Sequence, residues 1–181
     1  MHATHLDDAD RSLLAQRGAG VCLCPTTERD LADGLPLAGA LARSGVPLCL
    51  GSDSHAVIDL FEEARAVELD ERLRDEHRGH FTVDSLLTAA TAAGHTALGW
   101  PDAGALVPGA RADFVTVDLG SVRTAGFDPD EPAAAVVYAA GAADVTDVVV
   151  DGRPVVRDRT HLLVPDVAEA LRNAIQAVWS P

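Results

Sequence analysis

The segment that most constrains the fold is Pro47-Leu-Cys-Leu-Gly-Ser-Asp-Ser-His55. An apolar run of this kind, flanked by small residues and bare of alternation, reads as a strand buried on both faces, which belongs in a parallel sheet covered by helices. It ends in a Gly-Ser-Asp-Ser turn carrying one acid, Asp53. Parallel α/β barrels present their chemistry at the carboxyl ends of strands, so a carboxylate delivered there is a candidate metal ligand and proton carrier. The other reading is structural: Ser52, Asp53 or Ser54 caps the next helix.

A second apolar strand, Gly20 to Cys24, is stopped by Pro25, and the stretch from Thr26 to Gly34 reads as a loop. Helices are expected from Asp8 to Gly18, from Leu35 to Arg43, and after Asp53. In the last of these Val57, Leu60, Phe61, Ala64, Val67 and Leu69 form the expected inward stripe. Its acids precede its bases, with Glu68–Arg72 and Asp70–Arg74 as i, i+4 pairs. A further helix follows the polar link 75–80, capped by Thr82 or Asp84, with Leu86, Leu87, Ala90 and Ala93 inward.

Beyond about residue 100 the texture turns β-rich. Phe114 to Asp118 and Ala133 to Ala139 read as strands, and Val145–Val150 with Pro154–Arg157 as a hairpin about Asp151-Gly152. A closing helix starts at Asp166, with Glu169 completing a capping box and Val167, Leu171, Ile175 and Val178 on one face. The expected division is 1–100, an α/β unit, and 101–181, a small β unit with a closing helix.

Composition sets limits on partners. Fourteen basic residues stand against 28 acidic ones, a net charge of −14, which argues against a nucleic-acid partner. No apolar run is long enough to span a membrane, and Cys22, Cys24 and Cys49 lie in apolar strands as expected for reduced core thiols. A cytoplasmic location is expected.

Among the remaining candidates, His2 and His5 stand just before the first helix, where a strand would deliver them, or else they are solvated residues of a frayed end. Thr27 and Glu28 follow the cysteine-bearing strand at the same end of the sheet as Asp53, and Ser54 and His55 flank the acid. These four either line a site or make ordinary turn bonds. His77, His80 and His161 read as solvated loop residues.

The blocks His2-Ala-Thr-His-Leu6, Leu23-Cys-Pro-Thr-Thr-Glu28 with Asp33-Gly34, Leu50-Gly-Ser-Asp-Ser-His55 with Ile58-Asp59, and Glu62-Glu-Ala-Arg65 resemble, in order, the amidohydrolase superfamily. The Cys-Pro-Thr-Thr-Glu and Gly-Ser-Asp-Ser-His blocks most resemble its formimidoylglutamate deiminases of histidine degradation. Gly104-x-Leu106-x-x-Gly109-x-x-Ala112-Asp113 resembles the return to that superfamily's small β-sandwich.

The resemblance implies the C-terminal part of a (β/α)8 barrel, about its last two strands and their helices, followed by a β-sandwich segment and a terminal helix. It implies a zinc-dependent deiminase that converts N-formimino-L-glutamate and water to N-formyl-L-glutamate and ammonia. Asp53 would bind the metal and carry the proton from water to departing ammonia; His2 would steady the reacting centre.

Such families draw most of their metal ligands from the first and fifth strands, which precede the matched blocks. On that basis zinc is not expected to be held by this chain alone, and activity is expected only if an N-terminal half completes the site for its small-molecule substrate. Two alternatives stand beside this reading. One is a guanine or related heterocycle deaminase. The other is a non-catalytic structural or interaction module, pairing with itself through open sheet edges.

Overall fold

The computed structural model describes residues 1–54 and 57–179. Helix α1 (Asp8–Arg17) begins with a capping box between Asp7 and Asp10 and stops at Gly18. Strand β1 (Val21–Leu23) then leads into helix α2 (Pro25–Asp30). Helix α3 (Ala38–Arg43) precedes strand β2 (Leu48–Leu50), which pairs in parallel with β1, Cys22 opposite Cys49. The long helix α4 (Leu60–Asp75) follows, then α5 (Val83–Ala90) and α6 (Ala92–Ala97), separated by a backbone break at Thr91.

The expected loop over 26–34 is partly helical. Pro25 does stop the strand, but at the first helical position its missing N–H costs nothing and its fixed φ favours the turn. The Thr26 N–H and hydroxyl both donate to the buried carboxylate of Glu63, which ties the start of α2 to α4.

Helix α4 departs from its expected stripe. Leu60 and Leu69 are exposed, whereas Glu63, Ala64, Ala66, Val67, Glu68 and Glu71 are buried. Burying three carboxylates is tolerable only when each is hydrogen-bonded, and each is. Glu68 accepts N–H bonds from Gly79 and Phe81 and pairs with Arg72 at 2.7 Å. Glu71 accepts the Gly39 N–H and pairs with Arg74, so Arg74 turns to Glu71 and Asp75. The helix therefore fastens the starts of α2 and α3 and the 79–81 link through its glutamates.

Residues 133–138 are helix, not strand: α7 spans Pro132–Tyr138 and Ala139 follows it in a turn. A proline in its first turn and three successive alanines favour helix, and Val137 is buried against the core formed with Val21, Leu23, Leu41, Val46, Val67 and Leu86. Helix α7 packs on α4 and α5. The Arg65 guanidinium reaches the carbonyls of Tyr138 and Ala140 that the helix end leaves free.

The β unit is one antiparallel sheet among the described residues, ordered β3 (Phe114–Val117), β4 (Val145–Val150), β5 (Arg153–Arg157) and β6 (Thr160–His161). The hairpin is as expected: Asp151 and Gly152 both take positive φ, 49° and 74°, which the tight turn requires. Helix α8 (Val167–Trp179) forms with Asp166 accepting the Glu169 N–H, but Val167, Leu171, Ile175 and Val178 are exposed. No helix among the described residues is long and apolar enough to cross a membrane.

Candidate active site

Strands β1 and β2 run side by side, so their carboxyl ends deliver Cys24 and the 51–54 turn to the same place. The His2 N–H donates to the Cys22 carbonyl at 2.9 Å, fastening the 1–5 segment alongside β1. The Gly51 N–H bonds the Leu23 carbonyl at 3.0 Å and continues the parallel pairing. A side chain at Gly51 would meet the sulfurs of Cys22 and Cys24, 3.1 and 3.5 Å from an added Cβ. Only glycine lets the turn lie over these thiols. Asp53 itself takes a left-handed φ of 45°, which aspartate tolerates better than most residues.

The result is a row of groups centred on His2. Its Nδ1 lies 3.4 Å from Oε1 of Glu28, and its Nε2 lies 3.5 Å from Oδ2 of Asp53. Glu28 is buried, and its Oε1 also accepts the Cys24 N–H at 2.9 Å, whereas Oε2 has no hydrogen-bond partner among the described residues. Burial raises the Glu28 carboxyl above its usual range, against the lowering by the Cys24 N–H and His2. Thr27 is buried and braces the turn, its hydroxyl 3.0 Å from that of Ser54 and accepting the Ser54 N–H.

Sequence reasoning placed His2, Thr27, Glu28, Asp53 and Ser54 at one end of the sheet, and the structure brings them together there. His55 lies outside the described residues. His5 turns away to Asp33, at 3.2 Å. His80, expected to be solvated, has a side chain only 7% exposed and faces Glu71 at 3.6 Å.

Cys24 was missed as a functional candidate. One donor atom each from His2, Cys24 and Asp53 lies within 4.8 Å of the others. The available signal was its position: Cys24 ends β1 as Asp53 follows β2. The donor set of nitrogen, sulfur and carboxylate oxygen suits a zinc-type cation. An apolar cavity of about 640 Å³, lined by Leu48, Leu50, Phe81 and Leu86, lies elsewhere and includes none of the three donors.

A model of the amidohydrolase family matches residues 1–155. The chain belongs to the amidohydrolase family. It is 40% identical over 169 residues to a formimidoylglutamate deiminase of Pseudomonas aeruginosa, covering 89% of this chain and 37% of that protein. It is 33% identical over 184 residues to a 5-methylthioadenosine/S-adenosylhomocysteine deaminase of Pelotomaculum thermopropionicum, covering 98% and 42%.

Among solved structures, an adenosine deaminase of Xanthomonas campestris with bound zinc superposes with a TM-score of 0.87 at 34% identity, over 97% of this chain and 40% of that one. An atrazine chlorohydrolase of Arthrobacter aurescens complexed with zinc, 22% identical with a TM-score of 0.81 over 97% of this chain and 39% of that one, shares the fold. The chain thus spans about two fifths of the length of the relatives it matches.

Proposed function

We propose that this amidohydrolase chain supplies the aspartate-bearing side of a metal-dependent C–N hydrolase that deiminates N-formimino-L-glutamate to N-formyl-L-glutamate and ammonia. The observation that carries this is the Glu28–His2–Asp53 row at the ends of β1 and β2. Glu28 stands in the Cys-Pro-Thr-Thr-Glu block that carries the resemblance to formimidoylglutamate deiminases, and the 40% identity to the Pseudomonas enzyme supports the same substrate. In this reading residues 1–100 belong to the barrel and 101–181 to the smaller β unit, and the site draws further ligands from the rest of the fold.

Water adds through oxygen to the formimino carbon, the C–N bond breaks, and nitrogen leaves as ammonia. Asp53 would help to hold a zinc ion, which would bring the pKa of the attacking water toward neutrality, while His2 would steady the reacting centre. Asp53 accepts a proton from water and returns it to the departing nitrogen. A carboxylate beside a part-exposed mouth can exchange a proton without leaving its place. Glu28 fixes the His2 ring, so that Nε2 stays turned toward Asp53 and the developing tetrahedral centre.

The test is a chimera in which this chain replaces the aligned segment of the Pseudomonas deiminase. Ammonia release from N-formimino-L-glutamate is expected, and Asp53→Asn should lower kcat by about 10²–10⁴-fold with the fold retained. A folded chimera that turns over 5′-methylthioadenosine in preference overturns the substrate. An Asp53→Asn chimera of undiminished kcat overturns the role of the aspartate.

A further inference from the structure

His2 and Ala3 take left-handed φ angles of 65° and 63°, a conformation that residues with a Cβ rarely adopt and that the surrounding structure must support. The two in succession bend the chain where the His2 ring has to face Glu28 and Asp53. Ahead of the bend, the His2 N–H is held by the Cys22 carbonyl at 2.9 Å. Behind it, both polar side chains meet a single carboxylate. The Thr4 hydroxyl donates to Oδ2 of Asp33 at 2.7 Å, and His5 Nε2 lies 3.2 Å from Oδ1.

Asp33 is fixed in turn by the helix that carries Glu28. Past the end of α2, Ala32 takes a left-handed φ of 53°, and the Asp33 N–H donates to the Glu28 carbonyl at 2.9 Å. This is the hydrogen bond that closes a helix C-terminus of the Schellman kind. Glu28 thus meets the His2 ring with its carboxylate and Asp33 with its carbonyl, so the ring and the backbone around it are tied to one short helix. Thr4 and His5 hold the Asp33 carboxyl below its usual range, and an ionised acceptor makes the stronger hydrogen bonds.

We infer that Asp33 is a positioning residue: by holding Thr4 and His5 it keeps the His2–Ala3 bend left-handed and so aims the His2 imidazole between Glu28 and Asp53. Asp33 touches neither of those carboxylates nor the ring; it acts through the backbone of residues 2–5. Without its carboxylate the segment loses both side-chain tethers, the bend relaxes to negative φ, and the ring swings away from Glu28. The effect on turnover rests on the deiminase reading, whereas the aim of the ring does not.

The experiment reads the ring and the reaction separately. In the purified chain at about pH 9, above the ordinary histidine range near 6.5, long-range proton–nitrogen NMR should find the His2 proton on Nδ1, facing Glu28. Ala3 should give the strong amide–Hα cross-peak of a positive φ. Both signatures should be lost in Asp33→Ala, and equally in Thr4→Val combined with His5→Ala, which removes the same tethers from the other side. They should survive in Asp33→Asn, whose amide oxygen still accepts from Thr4; circular dichroism checks each fold. In the Pseudomonas chimera, Asp33→Ala should lower kcat about 10–100-fold with KM little changed, and Asp33→Asn should restore most of it. Beside His2→Asn, the Asp33→Ala change should cost less than about twofold. A wild-type chain without the two signatures, a folded Asp33→Ala chain that keeps them, or a kcat loss undiminished beside His2→Asn overturns the positioning role. A chimera inert toward N-formimino-L-glutamate, with the NMR changes as expected, overturns the deiminase reading alone.

Discussion

Glu63 and Glu68 lie five positions apart on one helix, and their surroundings drive them in opposite directions. Burial pushes Glu63 above its usual 4.5, more than the two Thr26 donations lower it. Burial acts on Glu68 as well, but Arg72 and the N–H groups of Gly79 and Phe81 outweigh it and hold the carboxyl below 4.5. An acid depressed in the fold contributes stability that is present above its unfolded pKa and is lost as pH falls through the folded value. One raised in the fold contributes stability that is full below the unfolded pKa and is lost as pH rises through the folded value. Urea-unfolding free energies measured across the acid range should therefore separate the two. Glu68→Gln should flatten the profile below about 4.5, and Glu63→Gln should flatten it above that value. Identical profiles for the two variants would refute the assignment.

At the scale of elements, Asp59 joins two parts of the chain. One carboxylate oxygen caps α4 through the Phe61 and Glu62 N–H groups, and the other accepts the Ala142 N–H at 2.8 Å. Thr82 caps α5 alone, accepting the Ser85 N–H. Asp59→Ala should cost about 2 kcal/mol and Thr82→Ala about 1 kcal/mol, since the first loses a cap and a long-range hydrogen bond together. Equal shifts in urea midpoint would show that the contact to Ala142 contributes nothing.

These elements also show how far local sequence goes. The helix ended by Gly18, the Asp-Gly hairpin and the two apolar strands were legible, because each is decided by a few neighbouring residues. The stretch 133–139 was not, because Ala-Ala-Ala-Val-Val-Tyr suits either a strand or a helix. Packing of Val137 and the grip of Arg65 on the helix end decide for helix. The inward face of α4 was misjudged for a related reason. Apolar periodicity points the leucines inward, but hydrogen-bond partners from three other segments make burial of the glutamates affordable and leave Leu60 and Leu69 outside.

For the whole molecule, the core lies where β1, β2, α3, α4, α5 and α7 meet, and α8 stands apart with all thirteen residues exposed. Its amphipathic stripe therefore contributes little to folding of this chain. Replacing Leu171 and Ile175 together by glutamate should shift the unfolding free energy by no more than about 0.5 kcal/mol per site. A loss of several kcal/mol in a urea titration would place α8 in the core.

Sequence by itself determined the strand that ends at Asp53, the helices whose caps are written beside them, and the family to which the ordered blocks belong. Those features depend on residues close together along the chain. Only the tertiary structure decided that His2, Cys24 and Asp53 converge, and that Glu28 rather than solvent faces the second nitrogen of His2. The parallel register of β1 on β2 sets Cys22 opposite Cys49 and carries the two strand ends to one place. Pairing across such a distance is fixed by burial and hydrogen bonding in the assembled sheet, which no local spacing encodes.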